Sequence, residues 1–592
     1  MIYQSIRHCA PPPPSGSARR QIPSLAEMDD RTEPKLDGHN AQVAKALDAF
    51  EGYFQQEANT IASNVDPAGV VSFNRDVQAR FEALLERAFA PLPFNNSARD
   101  PVEFDKAMRT ATNRAVMALE RLKVDAARAD LLSNLPAVDY RPQIIPHEGR
   151  FMVIRPAPPW ENIVLRGGGA KGIGYSASLE QLEKAGLLAH VRHLAGSSAG
   201  ALTASCLAAG LSATEFEEGP ADVLFRPGIL SGMKFRTELA RIYPNLRTTG
   251  GFLSALTALS AIDQAMSRSV QRYLSEHWHT ERFQEEMAAQ SGQGRLDKRQ
   301  LERLSMLTQL PDFDQPHENY MITFRDLDLL NQLAPEKFRK LTLTAWNKTD
   351  RREDYFNAET TPDIPVAYAA RMSMAFPIAF QAVSIKGKKN GGRNRVYSDG
   401  GIGSNIPSEV FINDDYDQAH VLASVRRGLE QTRARTLLLT FDEHGEAYRI
   451  QHGAPPKKLR LSVKSRMEMG VIGCASRNAH MATVYLNDER KVWDAGPNAL
   501  PVFHGKAGTL TSNISDWAQH QIHMQAAWKT LEQIAHRVQQ AYSMEYESLE
   551  ALTMQLTDRE IKALRDGAKP DEWQRQLLAL LDARSSSMAV AS

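Results

Sequence analysis

Ser198 is the residue of this chain best framed to act as a nucleophile. It is the central serine of G-S-S-A-G, Gly196 to Gly200, within L-A-G-S-S-A-G-A-L. The small residues around it permit a sharp strand-to-helix turn that exposes a hydroxyl, the G-x-S-x-G elbow pattern. Upstream lies L-R-G-G-G-A-K-G-I-G-Y, Leu165 to Tyr175. A glycine run between a strand and a helix leaves backbone N–H groups free to face an anion. That anion could be a nucleotide phosphate, as in a dinucleotide fingerprint. A P-loop does not fit, because no G-x-x-x-x-G-K-[ST] can be laid over the segment. A serine nucleophile also needs a base. Asp399, in S-D-G-G-I-G-S-N-I-P, could work through His420 in the order serine, acid, histidine. It could also work alone, and the glycines that follow it (Gly400 and Gly401) suit a carboxylate presented on a tight turn.

These segments need elements that bring them together. Ile163-Val164-Leu165 is a short apolar run ending in the glycines. Residues 176–185 read as a helix stopped by Gly186, and 191–195 as a strand entering the serine turn. Further strands are expected at 341–346 and 437–441. Strands alternating with helices imply a parallel sheet. Adjacent parallel strands would set Gly167, Gly168 and Gly169 beside Ser198 at one sheet edge.

The glycine loop, the serine elbow and the later D-G-G together resemble the patatin-like phospholipase family. M-I-T-F-R-D-L at 321–327 and P-D-I-P-V-A-Y-A-A-R-M-S-M-A-F-P at 362–377 add to the resemblance. It covers residues 161–445 and is similar to the bacterial effector or toxin type within the family. It implies an α/β class, a three-layer fold around a central, mostly parallel sheet. It implies Ser198 as nucleophile, Asp399 as its base, and Gly167, Gly168, Gly169 and Ala170 as the oxyanion-hole loop, with Gly196, Gly200, Gly400 and Gly401 in support. The implied activity is phospholipase A-type cleavage of ester bonds in membrane glycerophospholipids, through an acyl-enzyme. Membrane phospholipids and a protein activator are the implied partners. Where the family often carries an acidic or neutral residue before the glycines, this chain has Arg166, expected to add positive potential there. The chemistry calls for no cofactor and no metal. Two rival readings are a small-ester or thioester hydrolase on the same fold, and a partner-binding adaptor with a vestigial core. The intact Ser198 and Asp399 argue against the adaptor.

Outside the motifs, Lys386, Lys388, Lys389, Arg393 and Arg395 form an acid-free run just before Asp399. A solvated loop is the plain reading, and contact with anionic lipid head groups the functional one. A second basic run is Lys457, Lys458, Arg460, Lys464 and Arg466. Phe252, Leu253, Leu256, Leu259 and Ile262 read as an apolar helical stripe, either a core helix or a lid. Cys206 reads as a small core residue of the elbow helix.

Residues 1–40, rich in Pro, Ser and Arg, read as a flexible leader, and 41–135 as helical from their three-four apolar spacing. Proline density marks 136–160 as a linker. The catalytic region follows at 161–445, with a helical insertion at 211–315, and 446–592 reads as mostly helical. Composition is ordinary for a globular chain: 42% hydrophobic and 24% charged over 592 residues. With 70 basic and 70 acidic residues, bulk positive charge for nucleic-acid binding is lacking. The three cysteines cannot build a disulfide framework and suit a reducing compartment. Neither a continuous apolar span of roughly 18–20 residues nor a signal-type h-region is seen. The expected location is cytoplasmic, or exported by a non-Sec route, and peripheral at membranes.

Overall fold

The computed structural model describes residues 143–221, 251–308, 321–385, 394–412, 432–442, 463–505, 516–538, 541–566 and 570–591, less a few interior positions, with some neighbouring positions and part of a helix within 117–132. The leader read at 1–40, most of the helical region read at 41–135, His420, and Lys386, Lys388, Lys389 and Arg393 lie outside the described residues.

Strands β1 (Gln143–His147) and β2 (Arg150–Pro156) precede β3 (Asn162–Leu165). Helix α1 (Gly174–Lys184) leads to β4 (His193–Gly196), α2 (Ala199–Ala208) and the single turn α3 (Ala213–Phe216). Then come β5 (Gly251–Leu253), α4 (Leu256–His277), α5 (Glu281–Gly292), α6 (Lys298–Leu307) and α7 (Phe324–Leu333). β6 (Lys340–Asn347), β7 (Arg352–Phe356), α8 (Val366–Ser373), β8 (Ile378–Phe380), β9 (Val383–Ile385) and β10 (Arg395–Ser398) follow. The remaining elements are β11 (Thr436–Phe441), α9 (Val463–Ser476), α10 (Met481–Ala495), β12 (Ala499–Val502), α11 (Asp516–Val538), β13 (Ala541–Tyr546), α12 (Leu549–Thr553), α13 (Asp558–Arg565) and α14 (Glu572–Ala591).

The central sheet has eight strands in the order β12-β11-β3-β4-β6-β10-β9, with β7 paired to β6. From β12 to β6 all neighbours are parallel. β10 runs antiparallel to β6 and β9, and β7 antiparallel to β6. This is the α/β class the motifs implied. The inner strands β3 and β11 and the edge strand β12 are buried along their whole length, as expected for parallel strands covered on both faces. Side chains alternate between the two faces. Ile163, Leu165, Leu194, Leu437 and Leu439 join the large core with α1, α2, α4 and α11. Val164, Ala195 and Leu438 turn the other way, onto Val492 of α10.

Helix α2 explains why the elbow is so rich in small residues. All of its residues are buried, and its hydroxyls bond back to its own carbonyls: Thr203 to Ala199 and Ser205 to Ala201. Ala, Gly, Ser and Cys let it pack closely against the sheet. At Gly200 a Cβ would collide with the carbonyl of Leu165. Cys206 is fully buried, and burial pushes its thiol up to about 12.

The structure corrects several local expectations. The segment read as a proline linker contains β1 and β2, and β2 pairs with β13 from the far end of the chain. That three-stranded sheet buries Phe151, Val153, Met544 and Tyr546 under Leu552, Leu577 and Leu581 of the last helices. Proline density misled there because hairpin ends and edges tolerate proline. The apolar stripe from Phe252 to Ile262 is not one helix. Residues 251–253 form β5, paired with β8, and the helix begins at Leu256. Leu259 and Ile262 sit in the core, which favours the core-helix alternative over a lid, while Leu256 is exposed. Within the region read as mostly helical, the helix α11 ends at Val538 and residues 541–546 form β13.

The boundary read at 445 falls inside the central sheet, since β12 is its edge strand. Helix α11 also packs against α1, with Ile522, Ala526, Leu531 and Ile534 in the common core. His523 Nε2 lies 3.0 Å from the carbonyl oxygen of Ile173, just beyond the glycine loop. A protein ending at residue 445 would expose one edge of β11 and the apolar faces beneath α10 and α11. It is expected to be recovered as aggregate, whereas the full chain elutes as a defined species on size exclusion. A soluble, cooperatively melting product ending at 445 would show the C-terminal region to be a separate unit.

Candidate active site

Register brings the three motifs to one place. Leu165 at the end of β3 pairs with Gly196 at the end of β4, and Gly196 pairs with Leu343 of β6. The glycine loop and the serine turn therefore leave the sheet side by side. β10 approaches antiparallel to β6, with Ser398 opposite Trp346, so the chain enters Asp399 at the same edge.

Ser198 lies between β4 and α2 with φ +51° and ψ −122°, backbone angles that a side chain with a Cβ rarely adopts. The turn is held from outside: the Ser198 N–H donates to Ser373 Oγ at 2.8 Å. The strained turn lifts Ser198 clear of a buried neighbourhood. Ser197 and Ala199 are buried, whereas Ser198 is half-buried. The positive end of the α2 dipole adds a field that favours negative charge at the same point.

The Ser198 hydroxyl donates to Asp399 Oδ2 at 2.7 Å. Asp399 Oδ1 accepts the Gly401 N–H at 2.8 Å. The Asp399 carboxyl is buried, 3% exposed, and burial pushes it up to about 7 against the opposing pull of the Ser198 hydroxyl and the Gly401 amide. Removing a carboxylate from water disfavours its charge, and these two hydrogen bonds recover only part of that. Among the described residues no histidine bonds to Ser198.

The glycine loop divides into two functions. Gly167 is buried, and both of its peptide groups are taken by Asn405: its N–H donates to the Asn405 carbonyl at 3.0 Å, and its carbonyl accepts Asn405 Nδ2 at 2.9 Å. A Cβ at Gly167 would overlap Asn405 Oδ1 and crowd Ser198 Cβ. Gly167 thus permits close approach and is not a free donor, which corrects its place in the expected oxyanion set. Gly168 and Gly169 are half-buried, and no backbone bond of their amides to another described loop residue is formed. Gly168 is sealed from behind by the Phe441 ring. Ala170 is buried in the short helical turn Gly169–Ile173.

Arg166 does not project free positive charge. It is 3% exposed and donates to Glu489 Oε1 at 2.6 Å, with Glu489 1% exposed. No local signal marks this partner, which lies 323 residues away. Asn405 was missed as well. Its only signal was its place in the glycine-rich run after Asp399. Of the basic run, Arg395 is described. It is exposed, and its Nε lies 3.2 Å from Asp350 Oδ2. No group of three or more His, Cys, Asp or Glu side chains arranged to hold a metal occurs among the described residues. Among them, too, no helix is long and apolar enough to cross a membrane.

Comparison with known proteins adds to this geometry. Residues 163–412 match the family described as patatin-like phospholipase. "Probable lipid hydrolase 463L" of Invertebrate iridescent virus 6 is 33% identical over 72 residues, 12% of this chain and 22% of that protein. Among solved structures, ExoU in complex with SpcU, from the type III secretion system of Pseudomonas aeruginosa, is 19% identical with a TM-score of 0.41, covering 76% of this chain and 72% of that one. VipD from Legionella pneumophila is 18% identical with a TM-score of 0.37, covering 78% and 80%. The family match spans the glycine loop, the serine elbow and the D-G-G turn together.

Proposed function

We propose that this chain is a lipid acyl hydrolase of the phospholipase A type, cleaving glycerophospholipid esters through a Ser198–Asp399 dyad. The observation that carries this reading is the 2.7 Å hydrogen bond from Ser198 Oγ to Asp399 Oδ2, made on a strained turn beside the Gly168 and Gly169 amides. Asp399 takes the hydroxyl proton as Ser198 Oγ bonds to the ester carbonyl carbon. The carbonyl oxygen becomes an oxyanion, and the amides of Gly168 and Gly169 are the donors offered to it. When the tetrahedral intermediate collapses, the protonated Asp399 gives its proton to the departing alkoxide, leaving an acyl-Ser198. Water then loses a proton to Asp399 and attacks the acyl carbon. Ser198 leaves with that proton, and the free acid departs.

A carboxyl near 7 suits this double duty, since it can hold and release a proton around neutral pH. Action at membranes, delivery by a non-Sec route and a protein activator belong to the same proposal and rest on the family resemblance. Contact of Lys386, Lys388, Lys389, Arg393 and Arg395 with anionic head groups belongs to it too, and rests on their acid-free run just before Asp399.

Ser198→Ala and Asp399→Asn are each expected to abolish hydrolysis of a soluble short-chain ester while circular dichroism stays unchanged. The double variant should be hardly worse than either single one, because the pair acts as a unit. Strong activity in Asp399→Asn would transfer the base role to another group.

The wild-type kcat should rise as pH passes about 7, where Asp399 ionises. Stability should run the other way. Because folding raises this carboxyl above its ordinary value of about 3.9, its contribution is full below that value and is lost as pH rises through about 7. Asp399→Asn has no such titration. Its Tm relative to wild type should therefore climb over the same window, and a flat difference would contradict the buried-carboxyl assignment.

Neutralising the five basic residues 386–395 should weaken co-sedimentation with anionic vesicles, most at low salt. Turnover of a soluble ester should stay within about twofold, because the reacting groups are untouched. Equal losses in both assays would mean that the loop supports Asp399 instead.

A further inference from the structure

Helix α10 lies outside the family-matched stretch, yet it carries two adjacent acids with almost no contact with water. Asp488 is 2% exposed and Glu489 1%. Burying a carboxylate is costly unless it is paired and hydrogen-bonded, so each raises the question of what it holds.

Asp488 holds backbone. Its Oδ2 accepts the Asn405 N–H at 3.0 Å and its Oδ1 the Ile406 N–H at 3.3 Å. One turn along the helix, Lys491 Nζ donates to Ser404 Oγ at 2.9 Å, to the Ile406 carbonyl at 2.7 Å and to Glu409 Oε2 at 2.7 Å. The same ammonium lies 3.3 Å from Asp488 Oδ1, which pairs the two charges. The segment 404–406 is thus gripped at its amides, its carbonyl and its hydroxyl by one face of one helix. Glu489 meanwhile holds Arg166, the residue that opens the glycine loop.

The gripped segment reaches the reacting atoms in two directions. Asn405 takes both peptide groups of Gly167, next to the Gly168 amide. Ser404 N–H bonds back to the Gly400 carbonyl and Ile402 N–H to the Asp399 carbonyl, within the turn that presents the base. The nucleophile's base and the oxyanion donors therefore share a single support.

We propose that Asp488 is a positioning residue for hydrolysis, fixing the oxyanion loop and the Asp399 turn relative to each other through Asn405, and that α10 belongs to the catalytic unit. This rests on the dyad reading given above. A displacement of about 1 Å at an active site costs on the order of 10²-fold in rate.

The test compares three full-length proteins, wild type, Asp488→Asn and Met544→Ala. Asparagine keeps the shape at 488 but replaces one acceptor oxygen by an N–H₂ group that faces a backbone N–H. Met544 is 2% exposed in the separate cluster under the last helices, away from the site, and serves as a control for general destabilisation. Turnover of a soluble p-nitrophenyl ester and the rate of fluorophosphonate labelling at Ser198 are measured on each, alongside Tm. Asp488→Asn is expected to lose about 10- to 100-fold in kcat, with KM within about twofold, and to lose the same factor in labelling rate. Met544→Ala should lose Tm but keep kcat. If Asp488→Asn does not fold, Lys491→Gln takes its place with the same ordering expected. Unchanged kcat in folded Asp488→Asn, or equal kcat loss in Met544→Ala at matched Tm, would overturn the proposal. A wild-type protein that neither labels at Ser198 nor turns over ester would overturn it together with the hydrolase reading, and is recognised without any variant.

Discussion

The site depends on a single hydrogen bond, from the Ser198 hydroxyl to the Asp399 carboxylate, closed across 201 residues of sequence. No local element can make it. It requires that β3, β4 and β6 lie in register, that β10 arrive antiparallel, and that the turn at Ser198 hold an unfavourable φ. Each of these has its own support. The parallel strands are buried on both faces, α2 is small enough to sit against them, and Ser373 anchors the strained amide. A loss in any of these supports would be felt first as a change in that one distance.

Burial serves this contact and also opposes it. Excluding water strengthens the hydrogen bond between Ser198 and Asp399, because a low local dielectric strengthens polar contacts. The same exclusion disfavours the ionised carboxylate, the form that the proposed dyad needs to accept the proton. The Gly401 amide offsets part of the cost, and among the described residues no cation is one of the groups acting on Asp399. A nearby arginine would restore the charge but weaken the base. Arg166 is the cation that might have done so, and Glu489 occupies it. The arrangement leaves the carboxyl titrating at about 7, which is what the proposed accept-and-return of a proton calls for.

What could be read from sequence was local. Ser198, Asp399 and the glycine run are defined by immediate neighbours: small residues that permit a sharp turn and glycines that expose amides. The strands at 163–165 and 437–441 showed as apolar runs because parallel strands are buried on both faces, and 341–346 showed by its Leu and Thr. The parts that could not be read are long-range. Nothing near Gly167 indicates that Asn405 consumes both of its peptide groups, and nothing near Arg166 indicates Glu489. The place of β12 in the central sheet was hidden because A-L-P-V is four residues long and contains a proline. The pairing of β2 with β13 joins positions almost four hundred residues apart, in a stretch whose prolines read as a linker. Such pairings leave no periodicity, since each partner obeys only its own local rule.

Mass spectrometry of mixed phospholipid liposomes, read together with the Ser198 peptide, tests the central claim most directly. Wild-type protein is expected to release free fatty acid and lysophospholipid in equal amounts, with acyl mass trapped on Ser198 when the reaction is quenched in acid. Lipid products without any acyl-Ser198, or products that persist when Ser198 is replaced by alanine, would contradict the account.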